Sequence, residues 1–234
     1  MLEAVLRDGF EALSLPLDDK ALARYRLYAE RLSETNRVMN LTAIEGEDEI
    51  ARLHFLDSAA ILTLADFSGA RVIDVGSGAG FPGLALKIAR PELSLVLLDS
   101  LEKRVGFLRG CCDALGFSDV ACIHARAEEA AVSLRGGFDV AVSRAVARLN
   151  VLCELCLPFV RVGGVFLAMK GLDHAEELRE AEGAIRVLGG SLESEKNYTI
   201  PGTEIVHSLL VIRKCGETPP LYPRRWAQIK KKPL

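Results

Sequence analysis

Apolar and polar positions change their rhythm near residue 70, and the change divides the chain. Before it the rhythm is helical. Asp18 precedes a stretch in which Leu22, Tyr25, Leu27, Leu32 and Val38 recur among charges, and an acidic start suits the positive end of a helix. The stretch EDEIARLHFLDSAAILTLA predicts one or two further helices, while Asn40–Ile44 is too short and polar for one. From Arg71 onward short apolar runs alternate with helical patterns. Strands are predicted at Arg71–Val75, Leu93–Asp99, Asp119–Ala125, Phe138–Arg144 and Gly164–Gly171. Helices are predicted at Phe81–Pro91, ended by the proline, at Glu102–Gly116, stopped by the glycine, and within Ala147–Val160 and Asp173–Gly189.

Strand, helix, strand at this pace implies a parallel sheet covered on both faces. The last two extended runs, SLESEKNYTI and EIVHSLLVIRK, flank the turn Pro201-Gly202-Thr203 and predict a hairpin, hence one antiparallel strand. The expected fold is α/β and Rossmann-like, mostly parallel with a terminal antiparallel strand. It divides into an N-terminal helical extension (1–69), a sheet domain (70–213) and a basic C-terminal tail (214–234).

Composition narrows the class. Half of the 234 residues are hydrophobic, enough for a substantial core. No apolar run is long enough to span a bilayer and the N-terminus lacks a signal pattern, so a cytoplasmic protein without a membrane partner is expected. The six cysteines then read as reduced thiols. Cys153-Glu-Leu-Cys156 has redox or zinc spacing, but Leu149, Leu152, Cys153, Cys156, Leu157 and Val160 form one apolar helical face. No second ligand pair completes a zinc site, and His54, His124, His174 and His207 show no metal spacing. No metal is expected. The net charge is −3, yet Lys214, Arg224, Arg225, Lys230, Lys231 and Lys232 face Glu217 alone in the last segment. A basic terminus on an acidic body suits a polyanionic partner.

The chemistry concentrates in RVIDVGSGAGFPG (71–83). Glycines let a ligand approach the backbone, and the first strand-to-helix loop of such a sheet is where ligands bind. Gly78-Ala-Gly80-Phe-Pro-Gly83 fits a dinucleotide fingerprint, but its glycines start two residues late. Asp74-Val-Gly76-Ser-Gly78-Ala-Gly80 fits better the first motif of S-adenosylmethionine-dependent methyltransferases. Asp74 can orient the loop or meet the cofactor's amino group, and Asp99, ending the next strand, can accept from both ribose hydroxyls.

Taken with NLTAI (Asn40–Ile44), RLHFLDS (Arg52–Ser58), LLDSLEKRVGFLR (Leu97–Arg109), RAEE (Arg126–Glu129), VSRAVA (Val142–Ala147) and the YPR…KKPL ending, the chain resembles the bacterial 16S ribosomal RNA guanine-N7 methyltransferases, also called glucose-inhibited division protein B. The likeness covers nearly the whole chain. It implies a class I methyltransferase sheet and S-adenosylmethionine contacts at Gly76, Phe81, Asp99, Ser100, Leu101, Ala127, Glu128 and Arg144. It also implies 16S ribosomal RNA, or a small-subunit assembly particle, as partner. Arg144, ending the fourth strand where the methyl group should point, is the catalytic candidate.

Other nucleophiles fit less well. Attack through pyrimidine C5 needs a cysteine in a Pro-Cys pair, and the chain has none. Adenine N6 transfer uses Asn/Asp-Pro-Pro-aromatic after the fourth strand, where Ser143-Arg-Ala-Val-Ala147 stands instead. Guanine N7 carries a free lone pair and no proton, so it needs orientation rather than a base. Arg144 and Arg148 would grip phosphate or the guanine O6 edge. His54 and Asp57 share a helix face, either as a helix-stabilising hydrogen bond or as a substrate-side pair. Lys170 is a phosphate contact or a solvated strand end. The alternatives are a methyltransferase of small molecules or proteins, a non-catalytic RNA-binding protein and, last, a nicotinamide oxidoreductase.

Overall fold

The computed structural model describes residues 1–144 and 146–234; Ala145, inside the Val142–Ala147 stretch, lies outside them. Among the described residues seven strands form one sheet: β1 (Arg71–Val75), β2 (Ser94–Asp99), β3 (Ala121–His124), β4 (Phe138–Arg144), β5 (Val160–Gly171), β6 (Gly190–Thr199) and β7 (Val206–Lys214). Their order is β3-β2-β1-β4-β5-β7-β6, so the winding reverses between β1 and β4. Asp74 pairs with Leu97 on one side and Val142 on the other. The hairpin inserts β7 antiparallel between β5 and β6, with Lys170 opposite Ser208 and Gly171 opposite His207. Sequence explains the arrangement: Leu209–Ile212 is apolar throughout and buried on both faces, whereas β6 is polar and stays at the edge.

Helices α1 (Leu2–Ala12), α2 (Asp19–Met39), α5 (Gly83–Ala89) and α6 (Glu102–Leu115) cover one face. With them runs a continuous helical stretch: α3 (Glu47–Ile50), a π-helical turn (Ala51–Leu56) and α4 (Asp57–Ala60). Leu6, Phe10, Tyr25, Tyr28 and Phe55 share one core with Leu84, Leu97 and Leu167. The N-terminal helices therefore have no core apart from the sheet's. Helix α2 starts where the Asp18 side chain accepts from the Ala21 N–H at 2.6 Å. Its buried stripe is Leu22, Tyr25, Tyr28, Ala29 and Leu32. Val38, expected on that stripe, is exposed because it lies beyond the last buried turn.

Helices α7 (Ala127–Leu134), α8 (Leu149–Cys156), α9 (Ala175–Val187) and α10 (Trp226–Lys231) cover the other face, where Phe138, Phe159, Phe166, Leu152 and Ile229 pack. Cys153 and Cys156 are buried here as thiols in an apolar helix. The C-terminal segment is docked rather than loose. Arg224 reaches the fully buried Glu154 carboxylate through its Nε at 2.8 Å and Nη2 at 2.5 Å, and Ile229 is buried. Of the basic residues expected to suit a polyanionic partner, Arg224 has its charge spent inside, on Glu154. Among the described residues, no helix is long and apolar enough to cross a membrane.

Candidate functional site

A cavity of about 500 Å³ opens at the C-terminal ends of β1, β2, β3 and β4, around the reversal of winding. The glycine loop forms its floor. Loop and strand are tied together: the Gly76 and Ser77 N–H groups donate to Leu98 O at 2.8 and 3.1 Å, and Ser77 Oγ donates to Asp74 O at 2.9 Å. Gly78, at φ +58°, donates its N–H to Asp99 Oδ2 at 2.9 Å, and an added Cβ there would come no nearer to a neighbour than 3.9 Å, to Gly76 O. Asp99 Oδ1 accepts from the Leu101 N–H at 2.9 Å, so the buried carboxylate is aimed before any ligand arrives.

Of the residues expected at the site, Gly76, Gly78, Phe81, Asp99, Ser100, Ala127, Glu128 and Arg144 line this cavity. Leu101 does not. It precedes α6 with an exposed side chain, and only its backbone serves Asp99. Asp74 also stands outside the lining. It is fully buried behind the loop, where Oδ2 accepts from the Gly83 N–H at 2.8 Å and Oδ1 has no partner. Burial raises its carboxyl to about 7, against the lowering effects of the Gly83 bond and Arg144. Of its two anticipated roles, the bond to Gly83 is the loop-orienting one.

Arg144 forms the centre of a network at the β4 end of the cavity. Its Nη1 donates to Leu53 O at 3.0 Å and Asp57 Oδ2 at 2.8 Å, and its Nη2 meets His54 Nδ1 at 2.8 Å. Its guanidinium also lies 5.1 Å from the centre of the Phe81 ring, on which His54 stacks at 4.2 Å. His54 and Asp57, expected to pair with each other or with substrate, meet at Arg144 instead. The π-helical turn carries Leu53 and His54, and Asp57 follows it.

Charges in this network are settled by burial and by each other. Burial pushes His54 down to about 3, and the neighbouring Arg144 adds to the effect. The ring is therefore neutral, accepting from Arg144 at Nδ1 and donating from Nε2 to Thr42 Oγ1 at 2.9 Å. Burial alone would raise the Asp57 carboxyl, but His207, Arg144 and Tyr198 together hold it below its ordinary value. His207 Nδ1 and the Tyr198 hydroxyl both lie 2.8 Å from Asp57 Oδ1. Thr42 and Tyr198 escaped the sequence reading, although Thr42 falls inside the NLTAI stretch singled out there, and His207 entered it only as a histidine without metal spacing. Tyr198 and His207 face one another across the β6–β7 hairpin, so the turn at Pro201-Gly202 was the signal that could have paired them.

Two other cations are spent elsewhere. Lys170 donates to Ala147 O at 2.8 Å and Glu177 Oε2 at 2.7 Å, and Arg148 pairs with Glu180 at 2.7 Å. Neither lines the cavity. Among the described residues, no group of His, Cys, Asp or Glu side chains is arranged to hold a metal ion.

Comparison with known proteins agrees with this architecture. Residues 21–205 match the family model GidB, described as rRNA small subunit methyltransferase G. The ribosomal RNA small subunit methyltransferase G of Alkaliphilus metalliredigens (strain QYMF) is 46% identical, over 98% of this chain and 98% of its own. That of Acetivibrio thermocellus is 43% identical over 100% of this chain and 97% of its own. Among solved structures, an O-methyltransferase from Bacillus cereus in complex with SAH superposes with a TM-score of 0.58 at 17% identity, covering 91% of this chain and 100% of that one, a likeness of fold. Matched by the family model and aligned nearly end to end with these relatives, the chain belongs to the rRNA small subunit methyltransferase G family.

Proposed function

We propose that this chain transfers a methyl group from S-adenosylmethionine to N7 of a guanine in 16S ribosomal RNA, as free RNA or within a small-subunit particle, in the cytoplasm. Family membership supports the ribosomal RNA substrate. The cavity supports the cofactor: the uncrowded face of Gly78 lets a ligand approach the loop backbone, and the Asp99 carboxylate at the end of β2 suits a ribose diol. Bound there, S-adenosylmethionine supplies an electrophilic methyl on a sulfonium, and S-adenosylhomocysteine is left. Gly76, Gly78 and Asp99 hold the nucleoside part, Ser100, Ala127 and Glu128 border it, and Phe81 walls the methyl end.

The observation that carries the choice of nucleophile is the Arg144–Asp57–His54 network. No general base stands free at the methyl end among the described residues. His54 is neutral with both ring nitrogens engaged, and Asp57 has its oxygens filled by Arg144, Tyr198 and His207. Guanine N7 has no proton to lose, so positioning suffices. The transfer leaves a positive charge on the guanine, which a lone arginine would oppose. Asp57 at 2.8 Å neutralises Arg144 and removes that opposition. Three of the five guanidinium N–H groups are engaged within the network; the other two, on Nε and Nη2, have no acceptor among the described residues and can donate to the O6 edge or a phosphate.

The test is methyl transfer from labelled S-adenosylmethionine to 16S ribosomal RNA lacking the modification, followed by chemical cleavage at N7-methylguanine. Cleavage at one labelled guanine is expected. Label on a ribose, a pyrimidine or an exocyclic amine would overturn the assignment of N7.

A further inference from the structure

We infer that the C-terminal segment is an integral wall of the cofactor pocket, with Trp226 as the aromatic surface against which the adenine of S-adenosylmethionine lies; this rests on the cofactor reading above. Trp226 opens α10 and lines the cavity beside Ala125, Arg126, Ala127 and Leu155. Ala125, Arg126 and Ala127 follow β3, on the far side of Asp99 from Arg144. A nucleoside anchored by its ribose at Asp99, with its methyl near Arg144, must extend its base toward them. Besides Leu155 of α8, the segment after β3 offers the cavity two alanines, Ala125 and Ala127, and two charged side chains, Arg126 and Glu128. Trp226 supplies the broad flat apolar face that a purine needs. The Arg126 guanidinium lies 5.7 Å from the centre of its ring.

The placement of Trp226 is built in. Just upstream, the Arg224 N–H and Nε both donate to Glu154 Oε1 at 2.8 Å, and Nη2 donates to Oε2 at 2.5 Å. Glu154 is fully buried on α8, and that arginine is its counter-charge. Arg135 donates to Thr218 O at 3.1 Å and also to Tyr222 O, and Ile229 is buried one turn beyond Trp226. Anchors on both sides of Trp226 hold it at the rim.

Trp226 is the one tryptophan of the chain, so the unmodified protein reports on its own site. Titration with S-adenosylhomocysteine should change the tryptophan emission along the same saturation curve that calorimetry gives. Trp226→Ala should weaken S-adenosylhomocysteine binding about tenfold, in the range of lost base–aromatic stacking, and Trp226→Phe should restore most of it. Trp226→Ala should likewise raise the KM for S-adenosylmethionine about tenfold. Binding with no change in emission would overturn the inference, as would unchanged affinity in Trp226→Ala. A variant that binds normally but fails on RNA would move Trp226 to the RNA side and overturn it too. If the unmodified protein binds no S-adenosylhomocysteine, it is the cofactor reading that falls. Emission needs no variant, so the test survives a misfolded Trp226→Ala.

Discussion

Gly78 and Gly80 stand two residues apart in one loop, yet a methyl group added at each meets a different obstacle. At Gly80 the new Cβ would lie 2.3 Å from the Tyr28 hydroxyl and 3.2 Å from Leu84 Cβ. At Gly78 the nearest atom is Gly76 O at 3.9 Å. Gly80→Ala should therefore destabilise the fold by roughly 2–3 kcal/mol through overpacking. Gly78→Ala should cost only about 1 kcal/mol of backbone strain but should abolish binding of S-adenosylhomocysteine. Thermal unfolding and calorimetric titration of both variants separate the effects, and normal binding by Gly78→Ala would defeat the loop assignment. The glycine pattern was legible in the sequence. Which glycine faces the ligand was not, because Tyr28 approaches from α2, a helix with no sequence link to the loop. Asp74 carries a second residue-scale consequence. Its carboxyl, raised to about 7 in the fold, binds a proton more tightly there than in the unfolded chain, where it titrates near 3.8. Its protonation therefore favours the fold below pH 4, and that contribution fades as pH rises through 7. Asp74→Asn should remove a slope of up to about 1.4 kcal/mol per pH unit between those limits. Urea unfolding of both proteins from pH 5 to 8 measures it, and parallel curves would show that Asp74 ionises normally.

At the scale of elements, what mattered was how separate elements converge. Helical spacing placed His54 and Asp57 on one face, and strand pattern placed Arg144 at the end of β4. That the π-helical turn would carry the first two to the third was not readable, since periodicity of apolar residues fixes a buried side and not a neighbour. The β6–β7 hairpin adds Tyr198 and His207, residues that no motif marks. Asp57→Asn keeps the shape of this junction and removes its charge. It leaves Arg144 as an uncompensated, mostly buried cation, which should cost about 3 kcal/mol of stability. It should also lower kcat more than it weakens cofactor binding, because the unneutralised arginine opposes the charge that forms on guanine. Denaturant melts and single-turnover methylation read the two effects separately. Equal losses in kcat and cofactor affinity would instead mean that the network only shapes the pocket.

For the molecule as a whole, the C-terminal segment does two kinds of work with one run of basic residues. Composition showed the excess of positive charge but could not apportion it, since only the fold reveals that Glu154 waits in α8 for Arg224. Arg224 is therefore structural, and Arg224→Ala should lower stability by about 3 kcal/mol by leaving a buried carboxylate unpaired. Arg225, Lys230, Lys231 and Lys232 are exposed on the docked segment and form no salt bridge among the described residues. Docking fixes these charges on the same segment that carries Trp226 to the cavity rim, where they can meet the backbone of an RNA whose guanine enters the site. Each phosphate they neutralise adds about 0.7 to the slope of log affinity against log salt for single-stranded RNA. Replacing the four with glutamine should flatten that slope by up to about 3 while leaving the melting temperature and S-adenosylhomocysteine affinity unchanged. Filter binding of 16S ribosomal RNA fragments across a salt series, set beside a melt of the same variant, makes the measurement. An unchanged slope with a lowered melting temperature would assign these residues to packing, as for Arg224, and would leave the RNA to be held by other surfaces around the cavity.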